Sequence, residues 1–148
     1  MAFSSSRSFL FVHTIWATAN REPLLTKPLR AVLFSHIQKH AGEKGIQILG
    51  MNGVEDHVHC LFQLLPTQNL VQVMKTVKAL CADWINTTQL LKAPFEWEEW
   101  FAAYTVSPSG IKPILDFIAK QEEHHATRTL DNELEVFDIM EADIKQYS

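Results

Sequence analysis

Apolar and polar residues change their period several times along this chain, and each change marks an element. From Ser8 to Ala17 they alternate, and the run is rich in Phe, Val, Ile and Trp, so it predicts a strand. Asn20-Arg21-Glu22-Pro23 reads as a loop. From Pro28 the apolar residues Leu29, Val32, Leu33 and Ile37 follow helical spacing, with Gly42 as the expected stop. Gly45 to Met51 predicts a second strand, Asn52-Gly53 a turn, and His57 to Leu64 a third strand ended by Pro66. Leu70, Val73, Met74, Val77, Trp84 and Ile85 give the clearest amphipathic helix. An aromatic loop from Phe95 to Phe101 follows, then a fourth strand over Ala103 to Val106. Ser107-Pro108-Ser109-Gly110 opens a last helix. Pro113 is tolerated in its first turn, and the helix is expected to run through Phe117 and Gln121 to about Arg128.

The order β-α-β-β-α-β plus a helix predicts an α+β, ferredoxin-like antiparallel sheet with helices on one face and an extra C-terminal helix. Residues 1–148 are expected to form one domain. The tail, 130–148, carries scattered apolar residues (Leu134, Val136, Phe137, Ile139). It reads either as a short closing helix or as a segment ordered by a partner.

Composition changes this picture little: 47% hydrophobic and 20% charged residues are ordinary for a globular protein. The apolar runs are far too short to span a membrane. Arg7 ahead of Ser8-Phe9-Leu10-Phe11-Val12 has the outline of a signal peptide. His13 and the polar Thr18-Ala19-Asn20-Arg21 end that run without a small-residue cleavage site, so a cytoplasmic protein is expected. Cys60 and Cys81 are too few for a disulfide framework or a zinc knuckle and read as buried small hydrophobes. Charge matters more by its distribution. The formal net charge of −4 argues against an indiscriminate nucleic-acid binder. Yet the acidic weight falls late, in Glu96, Glu98, Glu99, Glu122, Glu123 and the tail. Upstream, Arg21, Lys27, Arg30, Lys39, Lys44, Lys75 and Lys78 leave residues 1–78 basic.

The candidate chemistry starts at His57 and His59. On a strand, residues i and i+2 share a face, so both imidazoles point one way while Val58 and Cys60 point the other. The pair reads either as two ligands of a divalent ion, with a third from elsewhere, or as hydrogen-bonded histidines. Glu55 and Asp56 place acceptors beside it as direct or outer partners. Phe117 and Gln121, at i and i+4, share a helix face. By themselves they read as a core aromatic and a solvated polar residue, and Glu122-Glu123-His124-His125 reads as an exposed face.

Several segments resemble the HUH single-tyrosine transposases of insertion sequences and their repeat-associated relatives. They are Val12-His13-Thr14-Ile15-Trp16-Ala17-Thr18 with Arg21-Glu22-Pro23-Leu24-Leu25, Asp56-His57-Val58-His59, Trp84-Ile85-Asn86, Phe95-Glu96-Trp97, Tyr104-Thr105-Val106-Ser107-Pro108-Ser109, and Ile118 with Gln121-Glu122-Glu123-His124-His125. They keep the family's order, and only the tail falls outside. The resemblance implies that His57, His59 and Gln121 hold Mg²⁺ or Mn²⁺, which polarises the scissile phosphate of single-stranded DNA. It also implies a tyrosine nucleophile four residues before that glutamine, a homodimer, and DNA hairpins as the ligand.

Counting back four from Gln121 reaches Phe117, which has no oxygen to attack with. Lys120 replaces the usual asparagine, and Glu98 the usual glutamine after the aromatic loop's tryptophan. Lys78-Ala79-Leu80-Cys81-Ala82 lacks the family's glycine and serines. Arg21, Lys75 and Lys78 are the expected DNA contacts. The resulting expectation is a transposase-like protein that binds a structured single strand and does not cleave it. Its rivals are a metal-dependent nuclease using water or Tyr104, and a protein-interaction module on the same scaffold. Tyr104 reads as a packing aromatic and Tyr147 as part of a solvated terminus. Phe117→Tyr alone is expected to restore metal-dependent nicking if the remaining site is intact.

Overall fold

The computed structural model describes residues 7–138 and 144–146, so Tyr147 and Ile139 lie outside the described residues. Among the described residues there are four strands: β1 (Leu10–Ala17), β2 (Gln47–Gly53), β3 (His57–Leu64) and β4 (Ala102–Val106). They form one antiparallel sheet in the order β2-β3-β1-β4, the expected topology. Helices α1 (Lys27–Glu43) and α2 (Leu70–Thr88) cross between strands, and α3 (Ile111–Ala119), α4 (Gln121–His125) and α5 (Leu130–Phe137) follow.

Strand alternation divides the sheet into two faces. Val12 and Trp16 of β1 and Val58, Cys60 and Phe62 of β3 face α1 and α2. There they meet Leu29, Leu33, Phe34 and Ile37 from α1, and Val73, Met74, Val77, Cys81 and Ile85 from α2. This is the main core, and both cysteines are buried and free, as expected. Burying this set of aliphatic and aromatic side chains is the principal force holding the fold, at roughly 1.5–3 kcal/mol for each large side chain. The aromatic loop closes one end. Asn86 exchanges two hydrogen bonds with the backbone of Phe95, and the Trp97 indole N–H donates to the Lys78 carbonyl.

The opposite face carries His13, Ile15 and Ala17 of β1 and His57, His59 and Leu61 of β3, since His59 pairs with Ile15 and His57 with Ala17. The C-terminal helices cover it. Gly50 on β2 is bare because α3 runs over it, and a methyl group there would strike the Leu115 side chain. A register shift between Ile48 and Gly50 keeps the polar Asn52 opposite His59 on that face.

Two expectations need correction. The turn expected at Asn52-Gly53 falls two residues later. Both residues belong to β2, and Val54 to Asp56 make the connection, closed by the Val54 N–H on the His57 carbonyl. The single last helix is broken at Lys120, whose backbone (φ −103°, ψ 28°) leaves helical geometry. The Asn52 side-chain amide donates to the carbonyls of Ile118 and Ala119, at 2.9 and 3.3 Å. An unbroken helix would offer those carbonyls to its next turn, so their capture by the sheet ends α3 and turns the chain into α4. Helical capping also starts α5, where Thr129 and Asn132 exchange side-chain and backbone hydrogen bonds. The tail thus contains a closing helix, with Leu130, Leu134 and Phe137 packed against Ile15 and Ala17. Among the described residues no helix is long and apolar enough to cross a membrane.

Candidate metal centre

The site lies between the sheet and the last two helices. β3 supplies His57 and His59, both fully buried, α4 supplies Gln121 and His125, and α5 supplies Glu133. Four ligand atoms converge. Glu133 Oε1 lies 2.6 Å from His125 Nε2, 3.0 Å from His59 Nε2 and 3.3 Å from His57 Nε2. The Nε2 atoms of His57 and His125 are 3.0 Å apart, and the four donors all lie within 4.8 Å of one another.

The outer ring nitrogens are also engaged. His57 Nδ1 sits 2.7 Å from an Asp56 carboxylate oxygen, and His125 Nδ1 sits 2.8 Å from the Arg128 carbonyl. Both partners only accept, so both Nδ1 atoms carry the hydrogen. His59 Nδ1 faces His13 Nε2 at 2.9 Å, with the rings stacked. An imidazole that donates through one nitrogen presents the other's lone pair, which is how histidine ligands are ordinarily oriented. The donor set therefore suits a divalent metal ion.

Burial and charge shape the ionisation of these groups. Burial pulls His57 down, but hydrogen bonds to Asp56 and Glu133 outweigh it and its pKa is raised. Burial dominates for His59, which falls to about 4, and for His13, which falls to about 3 with the neighbouring His59 adding to the effect. Burial disfavours the Glu133 carboxylate, yet the three imidazoles hold its pKa far below the usual range.

Gln121 reaches the same place. Its amide donates to the Phe117 carbonyl at 3.3 Å and to Glu133 Oε2 at 3.4 Å. Its Oε1 is buried and has no hydrogen-bond partner among the described residues. An orphaned acceptor beside a metal-type cluster is what a residue implied as a ligand should present. Phe117 packs edge-on to His59, with ring centroids 5.5 Å apart, and against His124 and Phe137.

The other candidates are placed elsewhere. Glu55 faces Arg30 at 3.8 Å and does not enter the cluster, whereas Asp56 is an outer partner. The Tyr104 ring is 6.1 Å from His13, but its hydroxyl donates to Asp138, and burial with that carboxylate pushes its pKa up. Lys78 is half-buried and donates to the carbonyls of Glu98 and Trp100, tying α2 to the aromatic loop. Lys75 is exposed on α2. Arg21 lies over the Trp100 ring and faces Asp131. It also borders a cleft of about 520 Å³ that runs past Asp56, His125, Arg128 and Thr129.

His13, His125 and Glu133 were not among the residues predicted for the site. A signal for each exists in the sequence. His13 shares a strand face with Ile15 and Ala17, and His125 lies one helical turn beyond Gln121. Glu133 falls on the apolar stripe of Leu130, Leu134 and Phe137, where a carboxylate requires partners.

Residues 6–121 match the family model described as "Transposase IS200 like". Among solved structures, the chain is similar to a candidate transposase from Deinococcus radiodurans R1. The two share 23% identity and a TM-score of 0.65, over 82% of this chain and 97% of that one. It is also similar to a REP-associated tyrosine transposase bound to a REP hairpin, with 15% identity and a TM-score of 0.57, over 84% of this chain and 74% of that one. At these identities the likeness is one of fold. No curated protein sequence matches the chain.

Proposed function

Because this chain belongs to the IS200-like transposase family, we propose that it is a transposase-like protein that binds a hairpin of single-stranded DNA and does not cut it through a tyrosine. One observation carries the reading. Phe117, four residues before Gln121, lies against His59 at the edge of the metal-type cluster and offers only a phenyl ring there. Covalent strand cleavage needs an oxygen nucleophile at that place. Tyr104 does not replace it, since its hydroxyl is engaged by Asp138 and held protonated.

His57 and His59 present their Nε2 atoms to a shared point, and Gln121 has a free buried acceptor beside it. With DNA bound, these three residues would hold Mg²⁺ or Mn²⁺, the remaining positions being completed by phosphate oxygens and water. A bound ion would polarise a phosphate and offset its charge. In this reading Arg21 and Lys75 contact the DNA backbone, which is supported by the position of Arg21 at the cleft beside His125 and by the exposure of Lys75 on α2. Lys78 contributes by holding the aromatic loop in position. The solved relative bound to a REP hairpin supports the choice of a hairpin ligand. We include a homodimer in the reading. It is supported by β4, which forms one edge of the sheet, and by Phe9 and Leu10 exposed beside it.

A gel-shift series with DNA hairpins and unstructured strands of matched composition tests the reading. Retarded hairpins, weakened as salt rises, are the expected result. No shift at low salt with the folded protein would overturn it.

A further inference from the structure

The Nε2 atoms of His57 and His125 lie 3.0 Å apart, and each ring already donates its Nδ1–H to a group that can only accept. Two lone pairs cannot face each other at that distance without a cation between or beside them. That cation is either a proton or a metal ion. Glu133 Oε1 and His59 Nε2 close the same space from the other sides.

We propose that in the DNA-free chain His57, His59, His125 and Glu133 form a closed four-coordinate site for a zinc-type dication, with Gln121 outside the ligand set. This deepens the metal part of the preceding reading, and its test needs no DNA. Three features support it. A tetrahedral ion with bonds of about 2.0–2.1 Å to nitrogen and oxygen has donor-donor edges of about 3.3–3.4 Å. Four of the six edges, at 2.6, 3.0, 3.0 and 3.3 Å, lie at or below that figure and the other two lie within 4.8 Å, so an ion is seated by side-chain shifts of up to about an ångström.

The donor chemistry is three imidazoles and one carboxylate, which favours zinc and its neighbours over magnesium, whose preferred shell is six oxygens. His57 and His125 also have outer partners of the kind that orients a ligand, the Asp56 carboxylate and the Arg128 carbonyl, and His59 Nδ1 lies 2.9 Å from the His13 ring. Gln121 then acts as a positioning residue, its amide donating to the second oxygen of Glu133.

The consequence is a site closed by the C-terminal helix. Four protein donors leave no position for a phosphate oxygen, which separates structural from catalytic zinc sites. Glu133 comes from α5, whose Leu130 and Leu134 pack on the sheet. DNA can reach the ion only if α5 gives up its carboxylate, so the ion and the helix stabilise each other.

The full chain, stripped with chelator, is titrated with Zn²⁺ and separately with Mg²⁺ by calorimetry. Co²⁺ loading then reports geometry, because four-coordinate Co²⁺ absorbs visible light far more strongly than six-coordinate. The expected result is one Zn²⁺ per chain, at least about 100-fold tighter than Mg²⁺, with a four-coordinate cobalt spectrum and a higher Tm. Glu133→Gln and His125→Ala should each weaken Zn²⁺ by about tenfold or more, and Gln121→Ala by less than about threefold. Circular dichroism checks that the variants fold, and the cobalt spectrum of the unaltered chain tests the site without them. A six-coordinate spectrum, equal affinity for Mg²⁺, or folded Glu133 and His125 variants with unchanged affinity would overturn the proposal. So would binding of protons only. Hairpin binding is scored separately, so its failure leaves this result standing.

Discussion

Phe117 stands perpendicular to His59, ring planes at 84° and centroids 5.5 Å apart, on a helix held to the sheet by Asn52. A hydroxyl at the far end of that ring would project from a position already beside the metal-type cluster. Phe117→Tyr is therefore the smallest change that would supply a nucleophile. Glu133 lies at the centre of the cluster as well, so its removal is added to the test. Phe117→Tyr combined with Glu133→Ala is expected to nick single-stranded hairpins in Mn²⁺ and leave a covalent adduct. Phe117→Tyr alone should be at least tenfold slower. Loss of a covalent nucleophile costs about 10⁶ in turnover in a well-studied protease, so recovery of a small part of that would be visible. Denaturing gels of labelled oligonucleotides measure both products, and a double variant with no adduct would count against Phe117 as the nucleophile position.

Asn52 ends α3 by donating to the carbonyls of Ile118 and Ala119. Asn52→Ala removes both bonds and should cost about 1–2 kcal/mol in urea unfolding. It should also loosen the kink at Lys120 that turns Gln121 toward Glu133. A weaker metal affinity in this variant, beyond the loss of stability, would mark Asn52 as a positioning residue. Unchanged stability would mean that the α3 terminus is held by packing alone.

Stability of the metal-free chain should fall as pH drops below 6.5. His13 and His59 are depressed to about 3 and about 4 by burial, whereas in the unfolded chain both protonate near 6.5. Below that pH the unfolded state binds protons that the folded state does not, which favours unfolding by about 1.4 kcal/mol per pH unit for each proton. His57 has the opposite sign. Its pKa is raised, so its contribution is complete below 6.5 and is lost as pH rises through its folded value. Two protons against one decide the direction, and the urea midpoint should be lower at pH 5 than at pH 7. An equal or higher midpoint at pH 5 would contradict the neutral, buried state of His13 and His59.

Tyr104→Phe removes the hydroxyl bonded to Asp138 and keeps the ring beside Phe137 and His13. The ring makes the packing, and the bond is exposed, so stability should change by less than about 1 kcal/mol. Any metal-dependent cleavage by the unaltered chain should persist in this variant. Its disappearance would identify Tyr104 as a nucleophile and reverse the reading given to Phe117.

Much of this was legible in the order of residues, because it depends on local period. The alternation of Ser8 to Ala17, the helical spacing through Leu70 to Ile85, and the facing of His57 and His59 all follow from two backbone repeats. The sheet and the shared histidine face came out as expected for that reason. The resemblance added Gln121 and Phe117 as neighbours of the pair. Contacts with no fixed spacing in sequence stayed hidden. The break at Lys120 depends on an asparagine 68 residues earlier, at the end of β2.

What the sequence determined by itself is the lineage, the strand order, and a histidine pair lacking a tyrosine partner. What only the tertiary structure decided is the composition of the site. His13 on β1, His125 on α4 and Glu133 on α5 reach it because sheet pairing and helix packing bring distant segments to one buried point. A buried carboxylate is tolerated only where donors or a cation already wait, and no local pattern in the tail could reveal that three imidazoles would be there.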